Sequence, residues 1–167
     1  LLLSSAASDV YKRQIFNHRF QDSYFNTLPL RPFLFNRHRL SIARILFHWL
    51  VQNLNVFGNI IDIGGGSNAS YRHLLPSSIN YQSVNIDSKI SPTYLISPDD
   101  TTYPIPSSSF HHCFLFNVLE HVYDWHTILS EARRLLRNDG QLHIVVPFLY
   151  RIHPCPDDFL RPTPSFF

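Results

Sequence analysis

Three aspartates and a run of glycines hold the chemistry of this chain. Asn59-Ile60-Ile61-Asp62-Ile63 is a short apolar run carrying one acid, and Gly64-Gly65-Gly66-Ser67 follows at once. A buried strand running into a turn without side chains lets backbone approach a ligand closely. Gly64, Gly66 and Ala69 satisfy the G-x-G-x-x-G/A spacing of a dinucleotide-type turn. Asp87 follows at about the ~20-residue interval at which an acid can accept the two hydroxyls of a ribose. Taken alone, this pattern fits NAD, FAD or S-adenosylmethionine. Asp62 separates them. A carboxylate two residues before the first glycine would face a pyrophosphate at close range, where like charges repel. An ammonium and a sulfonium in the same place would be attracted. The competing role for Asp62 is to cap the glycine turn, and that for Asp87 is to form a strand-end turn. Charge favours ligand contact, direct or through water, for Asp62, and spacing favours it for Asp87.

These residues need a scaffold, and the hydrophobic pattern supplies one. Ile42, Ile45, Leu46, Trp49, Leu50 and Leu54 follow a 3.6-residue period, which predicts a helix over 41–54 with Ser41 as its N-cap. Strands are expected at 60–63, 81–86, 93–96, 110–116 and 142–146. A helix is expected to start near Asn68 or Ala69 and stop before Pro76. Another is expected over 124–136, capped by Asp124, with Arg133, Arg134 and Arg137 on a solvated face and Asn138-Asp139-Gly140 as its closing turn. Strands alternating with helices imply an α/β fold with a doubly wound, mostly parallel sheet. Ligands of such sheets sit at the carboxyl ends of the strands, where strand order reverses.

Composition narrows the classes. The chain has 167 residues, 44% apolar and 16% charged, enough for one domain with a core. A net charge of +2 without a Lys/Arg run gives no sign of nucleic-acid binding. No apolar stretch approaches the ~20 residues of a membrane span. Cys113 and Cys155 have neither metal-type spacing nor the look of a disulfide framework, which fits a reducing, cytoplasmic setting. No Met is present. Residues 1–14 read as a non-native or disordered leader, 15–40 as an irregular arm, 41–150 as the ligand-binding domain, and 151–167 as a substrate-side loop cut short. The sheet is expected to be truncated after about its fifth strand, leaving an open edge.

Five ordered segments resemble the class I S-adenosylmethionine-dependent methyltransferases, of the type 11-like kind. Ile61-Asp62-Ile63-Gly64-Gly65-Gly66-Ser67 is similar to their first motif, and Asp87 falls at their ribose acid. Asp99-Asp100-Thr101-Thr102-Tyr103-Pro104-Ile105 is similar to D-A-x-x-L-P-F, a register that assigns Asp99 to the adenine amino group. Asn117-Val118-Leu119-Glu120-His121-Val122 is similar to the stretch containing V-L-E-H-V. Glu131 to Gly140 is similar to E-x-x-R-V-L-K-P-G-G. Departures are Asn68 at the third glycine, His111 at an expected Asp, and Arg137-Asn138-Asp139 before Gly140. The later Asp157-Asp158-Phe159-Leu160-Arg161 resembles a D-F-x-R segment of one bacterial-type branch.

The resemblance implies a methyltransferase that uses S-adenosylmethionine on a small-molecule or glycan-type acceptor. It implies a cofactor site of Asp62, Gly64, Gly65, Gly66, Asp87, Asp99 and Asn117, the last as a wall of the pocket. Methyl transfer requires no dedicated base. His121 is the candidate for one, with a structural role ranked ahead of it. His143 and His153 have no partners at metal-ligand spacing, and His111 and His112 read as structural. Two alternatives stay open: a nicotinamide- or flavin-binding oxidoreductase, and a non-catalytic remnant of the fold.

Overall fold

The computed structural model describes residues 41–148, 151–153 and 157–163. The expected leader and arm lie outside the described residues. The chain divides into two compact units. The described part of one is residues 41–46, the opening of the first helix, where the Ser41 hydroxyl accepts the Arg44 N–H at 3.3 Å as a cap. The other, Phe47–Thr163, contains the sheet and everything below.

The elements in chain order are α1 (Ile42–Gln52), β1 (Asn59–Ile63), β2 (Asn80–Asn85), β3 (Tyr94–Leu95), β4 (Phe110–Phe116), α2 (Trp125–Leu135) and β5 (Leu136–Val145). Single 3-10 turns occupy Arg72–Leu74, Ser88–Ile90 and Leu119–His121. The five strands form one sheet in the order β3-β2-β1-β4-β5, with every pairing parallel. This is the expected α/β, Rossmann-like architecture. β1 lies at the centre because it is apolar on both faces. Ile60 and Ile61 are fully buried, as are Cys113, Phe114 and Leu115 of neighbouring β4.

One side of the sheet is covered by Val51, Val56, Tyr71 and Leu75, which cluster with Ile60, Phe114 and Phe116. Phe114 stacks on Phe116 at 4.6 Å, and Tyr71 meets Phe116 edge-on at 5.3 Å. Each large side chain withdrawn from water in this way contributes roughly 1.5–3 kcal/mol. α2 packs against β4 and β5. It starts where Asp124 accepts the Thr127 N–H at 3.2 Å, and it buries Ile128, Leu129, Ala132 and Leu135. Among the described residues no helix is long and apolar enough to cross a membrane.

Two expectations need correction. The helix after the glycines does not form; turns and the Arg72–Leu74 3-10 turn stand in its place. Pro76 leaves room for only about two turns there, too few to repay helix nucleation. Asn138-Asp139-Gly140 is not a turn separating helix from strand. β5 begins directly after α2, at Leu136, and these residues lie within it as an irregularity. Phe110 pairs with Leu136 but His112 pairs with Gln141, so the excess residues bulge out of the ladder. Gly140 permits this, since a Cβ there would sit 3.1 Å from the Phe110 carbonyl.

Candidate functional site

Strand order reverses between β1 and β4, so the crevice for a ligand opens at their carboxyl ends. Gly64 leaves β1 with φ +86°, a left-handed geometry that disfavours a side chain, and a Cβ there would lie 2.3 Å from Val118 Cγ2. Its N–H donates to the Val84 carbonyl at 2.8 Å, which ties the turn to β2. A Cβ on Gly65 would fall 2.1 Å from Asp62 Oδ2, and one on Gly66 2.7 Å from the Ile90 carbonyl. Glycine is thus required three times by close approach, once also by dihedral. Asn68 is not among the positive-φ residues, so replacing the third glycine there imposes no backbone strain.

Asp62 is 1% exposed. Its Oδ2 accepts hydrogen bonds from the hydroxyls of both Tyr71 and Tyr81, while Oδ1 is buried with no hydrogen-bond partner among the described residues. Burial pushes its carboxyl up from 3.8 to about 6, against the opposing pull of the two hydroxyls. Both tyrosines are driven far above the ordinary phenol range, by burial first and by the Asp62 charge next, so they stay donors. The Arg72 guanidinium lies 4.8 Å above the Tyr81 ring.

Asp87 caps the Ser88–Ile90 turn, accepting the Lys89 N–H through Oδ1 at 2.9 Å, and is exposed. That turn is held to the glycines, because the Ser67 N–H and hydroxyl both donate to the Ile90 carbonyl, at 3.1 and 3.2 Å. Asn85 supplies a second tie, which the sequence did not reveal. Its Nδ2 donates to the Gly64 and Gly65 carbonyls at 2.6 and 3.3 Å, and its Oδ1 accepts the Asp87 N–H at 2.9 Å. The only advance signal was a polar residue at the tip of β2. Asp62, the three glycines and Asp87 therefore form one connected unit.

Asn117, at the tip of β4, is exposed and takes φ +54°, which Asn tolerates better than most residues. Its N–H donates to Val145 at 2.7 Å, and the next residue, Val118, touches Gly64. Asp99 sits in the turn after β3, exposed, with no hydrogen bond to the glycine turn among the described residues. Its neighbour Asp100 is occupied, accepting the Ser97 N–H at 2.7 Å. His121 lies in the turn after β4, its Nδ1 bonded to the Asp157 carbonyl. An open groove of about 750 Å³ borders the glycine turn along Ser67, Asn68, Arg72, His73 and Tyr81, and takes in none of Asp62, Asp87, Asp99 or Asn117.

The loop between β3 and β4 is fixed by a group expected to be solvated. Arg134 donates to the Tyr103 and Ile105 carbonyls, to Ser107 Oγ and to Glu131, whose Oε2 also accepts the Tyr103 N–H at 2.9 Å. The Arg134 guanidinium holds the Glu131 carboxyl below its ordinary range.

The fold has counterparts among solved structures. The PH0226 protein of Pyrococcus horikoshii superposes with a TM-score of 0.50 at 14% identity, over 84% of this chain and 62% of that one. The YcgJ protein of Bacillus subtilis gives 0.49 at 15% identity, over 60% and 48%. A SAM-dependent methyltransferase of Aquifex aeolicus gives 0.45 at 14% identity, over 75% and 72%. The chain spans about half the length of several solved structures that it resembles. No curated protein sequence matches it significantly. A sequence family described as "Methyltransferase domain" matches residues 61–144, just over half of the chain, from the acid-glycine turn to the end of β5. With that match spanning the strands and turns that build the crevice, the chain belongs to the methyltransferase-domain family.

Proposed function

We propose that this chain binds S-adenosylmethionine at the β1–β4 crevice and directs its methyl group to a small-molecule or glycan-type acceptor. The observation that carries the reading is the connected acidic unit. Asp62, buried behind Gly65 with one oxygen unpartnered, and Asp87, with one oxygen engaged and the other not, sit on either side of a glycine turn. Such a cradle suits a cationic, phosphate-free ligand bearing a ribose better than a pyrophosphate.

When bound, the cofactor supplies a methyl carbon already activated by a sulfonium. The chain's own contribution is placement. The glycine turn lets backbone approach the methionine portion, and the Asp62 charge, set just behind it, favours the cationic end. Asp87 accepts the ribose hydroxyls. Asp99, free of the turn that occupies Asp100, is available to the adenine amino group. Asn117 walls the crevice from the β4 side. His121 has its Nδ1 committed to a backbone carbonyl, which suits a structural part.

Isothermal titration with S-adenosylhomocysteine tests the reading. Wild-type chain is expected to bind it and to ignore NAD, and Asp87→Ala to bind at least about tenfold more weakly, the loss of roughly one charge-assisted hydrogen bond. Absence of binding, preference for NAD, or an unaffected Asp87→Ala variant would each overturn it.

A further inference from the structure

A second cluster occupies the turn after β4 and the segment that returns to it. The Leu119–His121 turn directs Glu120 inward, where it is 0% exposed. Both of its carboxylate oxygens are buried without a hydrogen-bond partner among the described residues. Burying an acid without a hydrogen-bond donor from another described residue is costly. Two imidazoles stand beside it. One ligand atom from each of Glu120, His121 and His153 can be chosen so that all lie within 4.8 Å of one another, and His121 Nε2 is 3.9 Å from Glu120 Oε1.

The Nδ1 edges of both rings face acceptors. His121 Nδ1 meets the Asp157 carbonyl, which can only accept, so the proton resides on Nδ1 and the lone pair on Nε2. His153 Nδ1 lies 3.2 Å from the Asp158 carboxylate and 3.3 Å from the Arg151 carbonyl. Asp158 is itself fixed by Arg161 and by the His153 N–H at 3.0 Å. Imidazoles oriented by an outer carbonyl or carboxylate are what metal centres use to set tautomer and direction.

We propose that Glu120, His121 and His153 bind one divalent transition-metal ion of the zinc or cobalt class. Two imidazoles and one carboxylate are a donor set for such ions, with coordination positions left for water or another oxygen ligand. Two nitrogen donors select against magnesium and calcium, which prefer oxygen. Charge allows it. Glu120 and Asp158 are acids, Arg161 is the one cation bonded into the cluster among the described residues, and the imidazoles are neutral as ligands, so these groups present a net negative charge to the ion. The site does not depend on the cofactor reading, because none of its three ligands belongs to the glycine turn, Asp87 or Asp99.

The test uses the full chain, stripped with chelator and titrated with Co²⁺ alone, reading visible d–d absorption and binding heat. One equivalent is expected to produce the bands. Glu120→Gln and His153→Asn should each weaken binding by at least about tenfold, with folding checked by circular dichroism. The His153 side chain is 33% exposed, so that variant separates loss of metal from loss of fold. His73→Asn and His126→Asn, outside the cluster, should leave the titration unchanged. A wild-type chain without bands, or bands that survive both ligand variants, would overturn the proposal. So would bands abolished by His143→Asn, which would move the ion to the His112–His143 pair on β4 and β5.

Discussion

Asp62 should make the fold lose stability as pH rises through the weakly acidic range, the reverse of a salt-bridged carboxylate. It is fully enclosed, and burial outweighs two tyrosine donors to set its carboxyl at about 6 in place of 3.8. The native state therefore holds this proton more tightly than the unfolded chain does. The associated stability is fully present below about pH 4, where both states are protonated. It drains away as the unfolded chain ionises first, and is gone once the native carboxyl ionises near pH 6. A rise of about two pKa units is worth about 3 kcal/mol. Glu131 and Asp158 are held low by their arginine partners and lose stability in the opposite direction, as pH falls, so the wild-type profile alone would mix the two. The difference between wild type and Asp62→Asn removes them. Urea unfolding of both proteins across that range should show the wild-type advantage shrinking by about 3 kcal/mol from about pH 4 to above about pH 6. A difference that is flat, or that grows with pH, would refute a buried carboxyl held by Tyr71 and Tyr81.

Two further outcomes follow from contacts around the site. Arg134→Ala removes donors to the Tyr103 and Ile105 carbonyls and leaves Glu131 buried without its cation; a loss of about 2 kcal/mol or more is expected in denaturant unfolding, with the loop over 97–109 exchanging its amide protons faster. Gly66→Ala would press a Cβ against the Ile90 backbone carbonyl at 2.7 Å, and because Ile90 ends the turn that Asp87 caps, the variant should lose about 1–3 kcal/mol of stability and weaken S-adenosylhomocysteine binding together, as read by thermal melts with and without ligand.

The sheet was legible in the sequence wherever a pattern is local. β1 and β4 announce themselves as continuous apolar runs, Asp124 caps α2 three residues before Thr127, and the glycines stand directly after the strand that needs them. What stayed hidden depends on pairs that only the fold brings together. Tyr71 and Tyr81 lie 9 and 19 residues from the acid they share. Arg134 had the sequence context of a solvated helix face, yet it reaches carbonyls 29 and 31 residues earlier. The helix expected after the glycines was misread because Leu74 and Leu75 match a helical period that Pro76 cuts off too soon. Asn85 carries no periodic signal at all, since a strand-tip amide is recognisable only once the turn above it is placed.

The central position of β1 also sets the order in which the sheet can assemble. Ile60 pairs with Tyr81, 21 residues later, and Phe114 with His143, 29 residues later, whereas Ile60 meets His112 across 52 residues. Loop-closure entropy favours the two shorter pairings, so two half-sheets, β1-β2-β3 and β4-β5, are expected to form before they join. The β1–β4 seam, closed across the longest of these loops, is also the floor of the crevice. A ligand bridging Gly64 and Asn117 would clamp the two halves across that seam, which would make its binding a brake on unfolding.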